Sequence, residues 1–188
     1  MARPSLRPQI VSAAEDVVLE IGAGRLTLDA VAERAGISKG GLLYHFPTKE
    51  SLLSAMLVGN LEVYRTRLLA ALEELPPGNG KLLRAHLMAL LTKDERSRQV
   101  AAALLAAVAS DPKLMVPVLA RNQEIFQELA CGTCTFKAET AILCLAADGI
   151  IFQELLGISP LTPEQRQEVF SELLRRAEVE DNWDSRSN

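Results

Sequence analysis

The sequence predicts an all-α fold of about nine helices. Hydrophobic residues make up 48% of the 188-residue chain and aromatic residues only 4%, so the core must be aliphatic. The main aliphatic residues are leucine and alanine, which favour helices. No stretch shows the sustained period-two alternation of β-branched residues that is typical of strands. A chain of this length can bury a substantial core in one or two compact units.

The first predicted helix spans residues 8–21, where apolar side chains recur with helical spacing. Gly22 and Gly24 follow the last apolar position and end the helix. The segment before it contains Arg3 and Arg7 but no apolar run, so it does not resemble a secretory signal.

The stretch TLDAVAERAGISKGGLLYHF predicts two short helices around a tight turn. Thr27 and Ser38 are placed to cap the two helices, and Gly36 between them suits a left-handed turn position. Ala32, Gly36 and Leu42 have the spacing of a helix-turn-helix, whose second helix enters the major groove of DNA. An ordinary pair of packed helices would show the same spacing, so both interpretations stay open at this point.

A long helix is predicted over residues 49–75 and ends at the sequence PPG, because proline cannot continue the hydrogen-bond ladder. Pro117 is expected to kink or interrupt a later helix, and Thr162 with Gln165 predicts a capping box before the last one. The remaining predicted helices span 81–92, 96–109, 112–130, 138–157 and 163–177.

The net charge of −4 excludes a protein that holds arbitrary DNA through bulk electrostatics. The basic residues of the first fifty positions nevertheless gather around the tail, the turn and the second short helix. This group is Arg3, Arg7, Arg25, Lys39, His45 and Lys49. Affinity for DNA would then have to come from a dimer that engages two half-sites.

The segment AGISKGGLLYHFPTKESLL closely resembles the DNA-binding region of TetR-family transcriptional regulators, over about the first quarter of the chain. Leu43 and Gly41 depart from the family, since many members carry a tyrosine and a small polar residue there. The matching positions are Gly36, Ser38, Gly40, Tyr44, His45, Phe46, Lys49 and Leu52. The resemblance implies a homodimeric regulator, in the leading interpretation a repressor that binds palindromic operator DNA and is released by a small molecule.

The candidate DNA contacts lie on the second short helix and around it. Lys39 can reach phosphate or guanine acceptors, and Tyr44 and His45 can donate to the DNA backbone. Gly40 and Gly41 leave the outer face of the helix bare, which permits a close approach but supplies no donor. The candidates also include helix N-termini, which can bind phosphate, and an arginine that can enter the minor groove. The candidates are Thr27, Ser38, Lys39, Gly40, Gly41, Leu43, Tyr44, His45, Lys49 and Arg3.

The last two helices carry apolar residues over more of their circumference than one core face needs. Two adjacent helices of this kind indicate an interface between two copies, although central core helices would show the same pattern. The resemblance favours the interface, because TetR-family members dimerise through their last two long helices. The expected interface residues are Leu145, Gly149, Phe152, Leu156, Phe170, Leu173 and Leu174.

An effector site is expected in the helical body, where one carboxylate, Asp148, stands in the most apolar helix. Asp148 either bonds to a neighbouring helix end or serine, or binds an effector in an apolar pocket. The expected ligand-binding residues are Met88, Leu91, Leu105, Met115, Phe126 and Asp148. The sequence thus predicts a DNA-binding domain at 1–48, a ligand-binding and dimerisation domain at 49–180, and a disordered tail at 181–188.

Cys131 and Cys134 form a CxxC pair, which can be half of a zinc site or a redox pair. Cys144 would be a third ligand, but a structural zinc needs four, and the chain has only two histidines, His45 and His86. Buried thiols are the more common role, so metal or redox sensing is kept as an alternative and no cofactor is expected.

Other classes of protein find less support in the sequence. There is no nucleophile–base–acid set or phosphate loop, so an enzyme is not expected. Apolar stretches are shorter than the roughly 20 residues of a membrane span, so no membrane partner and a cytoplasmic location are expected. A regulator without a ligand, or an activator, is the alternative within the same class.

Overall fold

The computed structural model describes residues 5–78, 80–92, 94–129 and 138–184, and within these ranges the chain has nine α-helices and no strand. The all-α prediction is therefore confirmed. Short 3-10 turns lie at Ala23–Arg25 and Pro112–Met115. The helices are α1 (Arg7–Ile21), α2 (Leu28–Arg34), α3 (Lys39–His45), α4 (Lys49–Glu74), α5 (Lys81–Leu91), α6 (Glu95–Ser110), α7 (Val116–Leu129), α8 (Ala138–Leu155) and α9 (Pro163–Asp184).

By packing, the chain divides into two compact units. Unit 1 contains the residues up to Glu62 together with Glu95–Glu124, and unit 2 contains Val63–Asp94 and the residues from Ile125 onward. This division does not coincide with the expected boundary after residue 48, because α6 packs into the core of unit 1. The functional division into 1–48 and 49–180 stays a prediction.

The core of unit 1 is an aliphatic cluster that joins α1 to the two short helices. Ile10 of α1 and Leu42 of α3 are fully buried in it, and Val100 and Leu104 of α6 close it from another side. Burial of one such side chain contributes about 1.5–3 kcal/mol. Arg96 of α6 adds an ion pair to Asp16 of α1 at 2.7 Å.

The turn between α2 and α3 forms as the sequence predicts. The Thr27 hydroxyl oxygen accepts a hydrogen bond from the Ala30 amide, and the Ser38 oxygen accepts one from the Gly41 amide, both at 3.2 Å. Gly36 has φ +65°, in the left-handed region. Most other residues would cost about 1–2 kcal/mol there, because their Cβ would crowd the following carbonyl oxygen.

Unit 2 has two apolar clusters. The larger one packs α5, α8 and α9 together and includes Leu87, Ala147 and Phe170, each at most 1% exposed. The smaller one packs α4 against α5 through Leu68 and Ala85.

Two helix limits differ from those that the sequence predicts. The helix expected over 112–130 is interrupted next to Pro117: a 3-10 turn spans Pro112–Met115, and Pro117 is the second residue of α7, where its missing N–H leaves no bond unmade. α9 reaches Asp184, so residues 181–184 are helical and do not belong to the disordered tail that we expected. No proline or glycine stands between 178 and 184 to end the helix.

None of the helices in the described ranges is both long enough and apolar enough to cross a membrane.

Candidate functional site

The short helix α3 turns one side to the core of unit 1 and the other to solvent. Leu42 is fully buried beneath it, and Phe46, directly after it, is 1% exposed. Tyr44 is 84% exposed, and its ring meets the His45 ring edge to face at 5.1 Å between centroids. Leu42 and Phe46 are four residues apart and so lie on the same side of the helix, and their burial fixes which face of α3 remains available to a partner.

The free face of α3 is nearly without side chains at its start. A Cβ on Gly40 would meet nothing within 4 Å, whereas a Cβ on Gly41 would lie 3.3 Å from the Ser38 oxygen that caps the helix. Leu43 is 37% exposed. The backbone of α3 can thus approach a flat or grooved partner closely.

Lys39 and Lys49, both expected at DNA, already have partners within unit 1. The Lys39 ammonium lies 2.9 Å from a carboxylate oxygen of Asp29, and both side chains are well exposed. The Lys49 ammonium donates to the Gly24 carbonyl at 2.7 Å and so joins the start of α4 to the turn after α1. An ammonium has three donors, so either residue can add a phosphate contact.

Two contacts from α1 were not expected from the sequence. The Gln9 side-chain amide donates to the Ala35 carbonyl at 2.8 Å, and the Arg7 guanidinium donates to the His45 carbonyl at 3.3 Å. The Arg7 guanidinium carbon also lies 4.5 Å from the centre of the Phe46 ring. A signal for these contacts in the sequence is weak, since the partners are 26 and 38 residues apart.

An apolar stripe runs along the solvent side of α8 in unit 2. Its members recur at steps of three or four residues, which places them on one face of the helix. Leu145 is 70% exposed, Phe152 52% and Leu156 48%. We call this surface the α8 stripe, and it consists of Ile142, Leu145, Gly149 and Phe152 of α8 and of Leu156, the residue directly after the helix.

The expectation that Phe170 and Leu173 form a subunit interface is wrong. Phe170 is 1% exposed and Leu173 7% exposed, since both pack into the cluster of α5, α8 and α9 within one chain. Leu174 is half-buried against the same cluster. The apolar residues of α9 therefore belong to the core, whereas the additional apolar residues of α8 are exposed.

Asp148 belongs to a polar cluster in unit 2, with Tyr64 of α4 and His86 of α5. The Tyr64 hydroxyl and the His86 Nδ1 are 2.7 Å apart, and the His86 Nε2 lies 3.7 Å from an Asp148 carboxylate oxygen. The His86 Nε2 is buried and has no hydrogen-bond partner among the described residues. Asp148 itself is 56% exposed, and the group nearest to its carboxylate in this cluster is the His86 imidazole.

The environment of this cluster sets its protonation. Burial raises the pKa of Tyr64 well above its ordinary value, and the negative charge of Asp148 adds to the rise. Burial lowers the pKa of His86, although Asp148 acts in the opposite direction. The cluster therefore holds a protonated tyrosine and a neutral imidazole beside one exposed carboxylate.

The other expected effector residues are distributed over both units. Met88 and Leu91 are half-buried in unit 2, and Leu105 and Met115 are half-buried in unit 1. Arg3, Cys131, Cys134 and the side chain of Phe126 lie outside the described residues. Within the described part of the chain, no group of three histidine, cysteine or acidic residues is arranged to hold a metal ion.

Two family profiles match the chain. "Bacterial regulatory proteins, tetR family" matches residues 10–56, which include α2 and α3, and "Tetracyclin repressor-like, C-terminal domain" matches residues 80–178. The second profile alone covers more than half of the chain.

Individual relatives agree with the profiles. The regulator RutR of Escherichia coli (strain K12) is 41% identical over 68 residues, which are 36% of this chain and 32% of RutR. This match spans only about a third of RutR. The regulator BetI of Klebsiella pneumoniae is 27% identical over 93% of this chain and 94% of its own.

Solved structures match the chain over most of its length. The multidrug binding protein EbrR in complex with imidazole matches with a TM-score of 0.63 and 29% identity, over 91% of this chain and 96% of that chain. Its complexes with ethidium and malachite green match with TM-scores of 0.64 and 0.62. From its helix-turn-helix, its helical body and these matches, the chain belongs to the TetR family of transcriptional regulators.

Proposed function

We propose that this chain is a homodimeric repressor whose α3 binds operator DNA and whose release from DNA is controlled by a small effector. The observation that carries the proposal is the exposed face of α3. Tyr44 is 84% exposed on a helix whose other side is buried by Leu42. A helix with a bare glycine face and donors at both ends suits the major groove, which admits one α-helix.

Lys39 supplies the donor at the start of α3. Its ion pair with Asp29 is exposed on both sides, at 58% and 68%, and such pairs contribute about 0–1 kcal/mol. Exchange of Asp29 for a phosphate or a guanine acceptor therefore costs little. Tyr44 supplies the donor at the other end, and Thr27 and Ser38 keep hydroxyl protons that phosphate can accept.

Replacement of Tyr44 by alanine tests this proposal. We expect operator affinity to fall about 10- to 100-fold, the usual range for one lost direct contact, and the melting temperature to stay unchanged. Binding should be measured on a duplex selected from random-sequence DNA with the wild-type protein. Val116→Ala, at a 63% exposed position of α7, is the matched control. Equal affinity of Tyr44→Ala and wild type would contradict a role for α3 in binding.

The dimer is proposed to form through the α8 stripe. Four large apolar side chains of the stripe are about half exposed or more in the single chain. A contiguous exposed apolar face on a monomer usually marks an interaction surface. A twofold axis that pairs α8 with its own copy buries the same residues on both sides, and Gly149 allows the two backbones to approach.

The effector is proposed to be an organic cation that binds beside Asp148. The cluster offers an exposed carboxylate next to the neutral His86 and the protonated Tyr64, and none of these three groups brings a positive charge of its own. EbrR, with 27% and 29% identity, binds the cationic dyes ethidium and malachite green. The cation would bind more tightly to a conformation that has a low affinity for DNA, and so shift the protein to that conformation. The resulting fall in DNA affinity is limited by the ratio of the cation's affinities for the two conformations.

Asp148→Asn tests the effector class with malachite green as the probe. We expect the dye to bind about fivefold more weakly, because pairing with an exposed carboxylate contributes about 1 kcal/mol. Calorimetry without DNA measures the binding directly, which avoids intercalation of the dye. The control is Glu139→Gln, which removes another exposed carboxylate of α8. Equal weakening by both variants would point to a diffuse charge effect and contradict a site at Asp148.

A further inference from the structure

We propose that Arg7 and Gln9, in the first turn of α1, are positioning residues that hold α2 and α3 in the orientation required for DNA binding. The proposal rests on the proposed function of α3. It adds a role for two residues that need not touch a base.

The two contacts have the same form. α2 and α3 are each seven residues long, and the last four carbonyls of any helix have no partner within it. Gln9 donates to the carbonyl of Ala35, the cap residue directly after α2, at 2.8 Å. Arg7 donates to the carbonyl of His45, the last residue of α3, at 3.3 Å. One turn of α1 therefore satisfies one terminal carbonyl of each short helix.

Arg7 is held in place from a second side. Its guanidinium carbon lies 4.5 Å from the centre of the Phe46 ring, which is within the range of a cation–π contact. Phe46 is 1% exposed and belongs to the core of unit 1. The ring therefore gives the guanidinium a fixed surface at the end of α3.

α1 is rigid enough to act as the reference for both contacts. Five of its residues, Ile10, Ala13, Ala14, Val17 and Val18, are buried in the core of unit 1. Helices of seven residues are too short to be stable alone, so their orientation depends on such tertiary contacts. Binding sites need their groups held within about 0.5 Å, and two additional fixed points at the carbonyl ends serve that purpose.

A direct phosphate contact by Arg7 is the competing explanation. The salt dependence of DNA affinity distinguishes the two explanations. Loss of one phosphate contact per half-site lowers the slope of log affinity against log salt by about 0.9 for that contact. Loss of positioning leaves the slope unchanged and lowers only specific affinity, because non-specific binding does not need α3 in register. Gln9 is neutral, so its removal cannot act through phosphate charge.

The experiment compares Arg7→Met, Arg7→Lys and Gln9→Met with the control Arg98→Met. Arg98 lies on α6 and pairs with Glu95 of its own helix. Affinity is measured for the selected operator duplex and for a scrambled duplex, over a range of salt, well below the melting temperature. We expect Arg7→Met and Gln9→Met to lower operator affinity about tenfold, with unchanged scrambled-duplex affinity and salt slope. Arg98→Met should match the wild type.

Several results would overturn the proposal. Unchanged operator affinity in Arg7→Met and Gln9→Met would do so. A reduced salt slope in Arg7→Met with full rescue by Arg7→Lys would assign Arg7 to phosphate instead. Equal losses on both duplexes, in proportion to the unfolded fraction, would leave only a folding role.

A measurement without DNA keeps this proposal separate from the proposed function. Amide hydrogen exchange of the free protein should become several-fold faster over residues 42–46 in Arg7→Met and over 35–37 in Gln9→Met, while α5 exchanges as in the wild type. Unchanged exchange in these segments overturns the positioning role whatever the protein binds. If exchange changes as expected but wild-type protein selects no duplex, the proposed function fails and the two contacts are structural alone.

Discussion

Replacement of Phe46 by alanine is expected to lower the free energy of unfolding by about 3–5 kcal/mol and to abolish operator binding. Phe46 is 1% exposed and lies among the largest fully buried side chains of unit 1. Its removal leaves a cavity directly behind the end of α3 and takes the aromatic surface away from Arg7. Denaturant unfolding followed by circular dichroism measures the loss.

Tyr44 provides the internal control for this experiment, because it is two residues away and also aromatic. Tyr44→Ala should change the free energy of unfolding by no more than about 0.5 kcal/mol, the usual range for an exposed position. The two variants thus separate the fold from the binding surface. Equal destabilisation by Phe46→Ala and Tyr44→Ala would contradict the orientation of α3 described above.

Replacement of Phe152 by glutamate is expected to convert the protein to a monomer and to lower operator affinity by at least about 100-fold. The glutamate carboxylate would lose its hydration in the proposed interface without gaining a partner there. The free energy of dimerisation cannot compensate this desolvation cost. A monomer engages only one half-site. It loses the high effective concentration at which a dimer binds the second half-site, and this contributes a factor of about 10²–10⁴ to affinity. Analytical ultracentrifugation and operator titration measure the two changes.

Leu145→Glu, on the same stripe, should have the same effect, and Ala109→Glu is the control. Ala109 is exposed on α6 and receives the same charge outside the stripe. A dimeric Phe152→Glu protein with normal operator affinity would contradict the α8 interface. A monomeric wild type that binds a single half-site would contradict the homodimer altogether.

The caps of the two short helices could be predicted because they are local. Thr27 and Ser38 each bond to an amide three residues ahead, and Gly36 adopts φ +65° between the two helices. Such features depend on a few neighbouring residues, so a single sequence contains all that determines them. The same holds for the break after α4, where two prolines stand together.

The role of each apolar surface could not be predicted. Phe170 and Phe152 both stand at helical spacing on adjacent helices, yet the first is 1% exposed and the second 52% exposed. Apolar periodicity identifies a face that avoids water and does not identify what covers it. Whether an apolar face is covered depends on how α5, α8 and α9 pack, and this packing involves residues more than fifty positions apart.

By itself, the sequence determined the all-α class, the helix-turn-helix with its caps and glycine turn, and the family to which the chain belongs. Only the tertiary structure decided that Arg7 and Gln9 bind the ends of the short helices, that His86 lies between Tyr64 and Asp148, and that α8 carries the exposed stripe. The physical reason is distance along the chain. Helix limits and caps depend on bonds that span three or four residues, whereas these contacts join distant segments whose approach is set by the packing of the whole core.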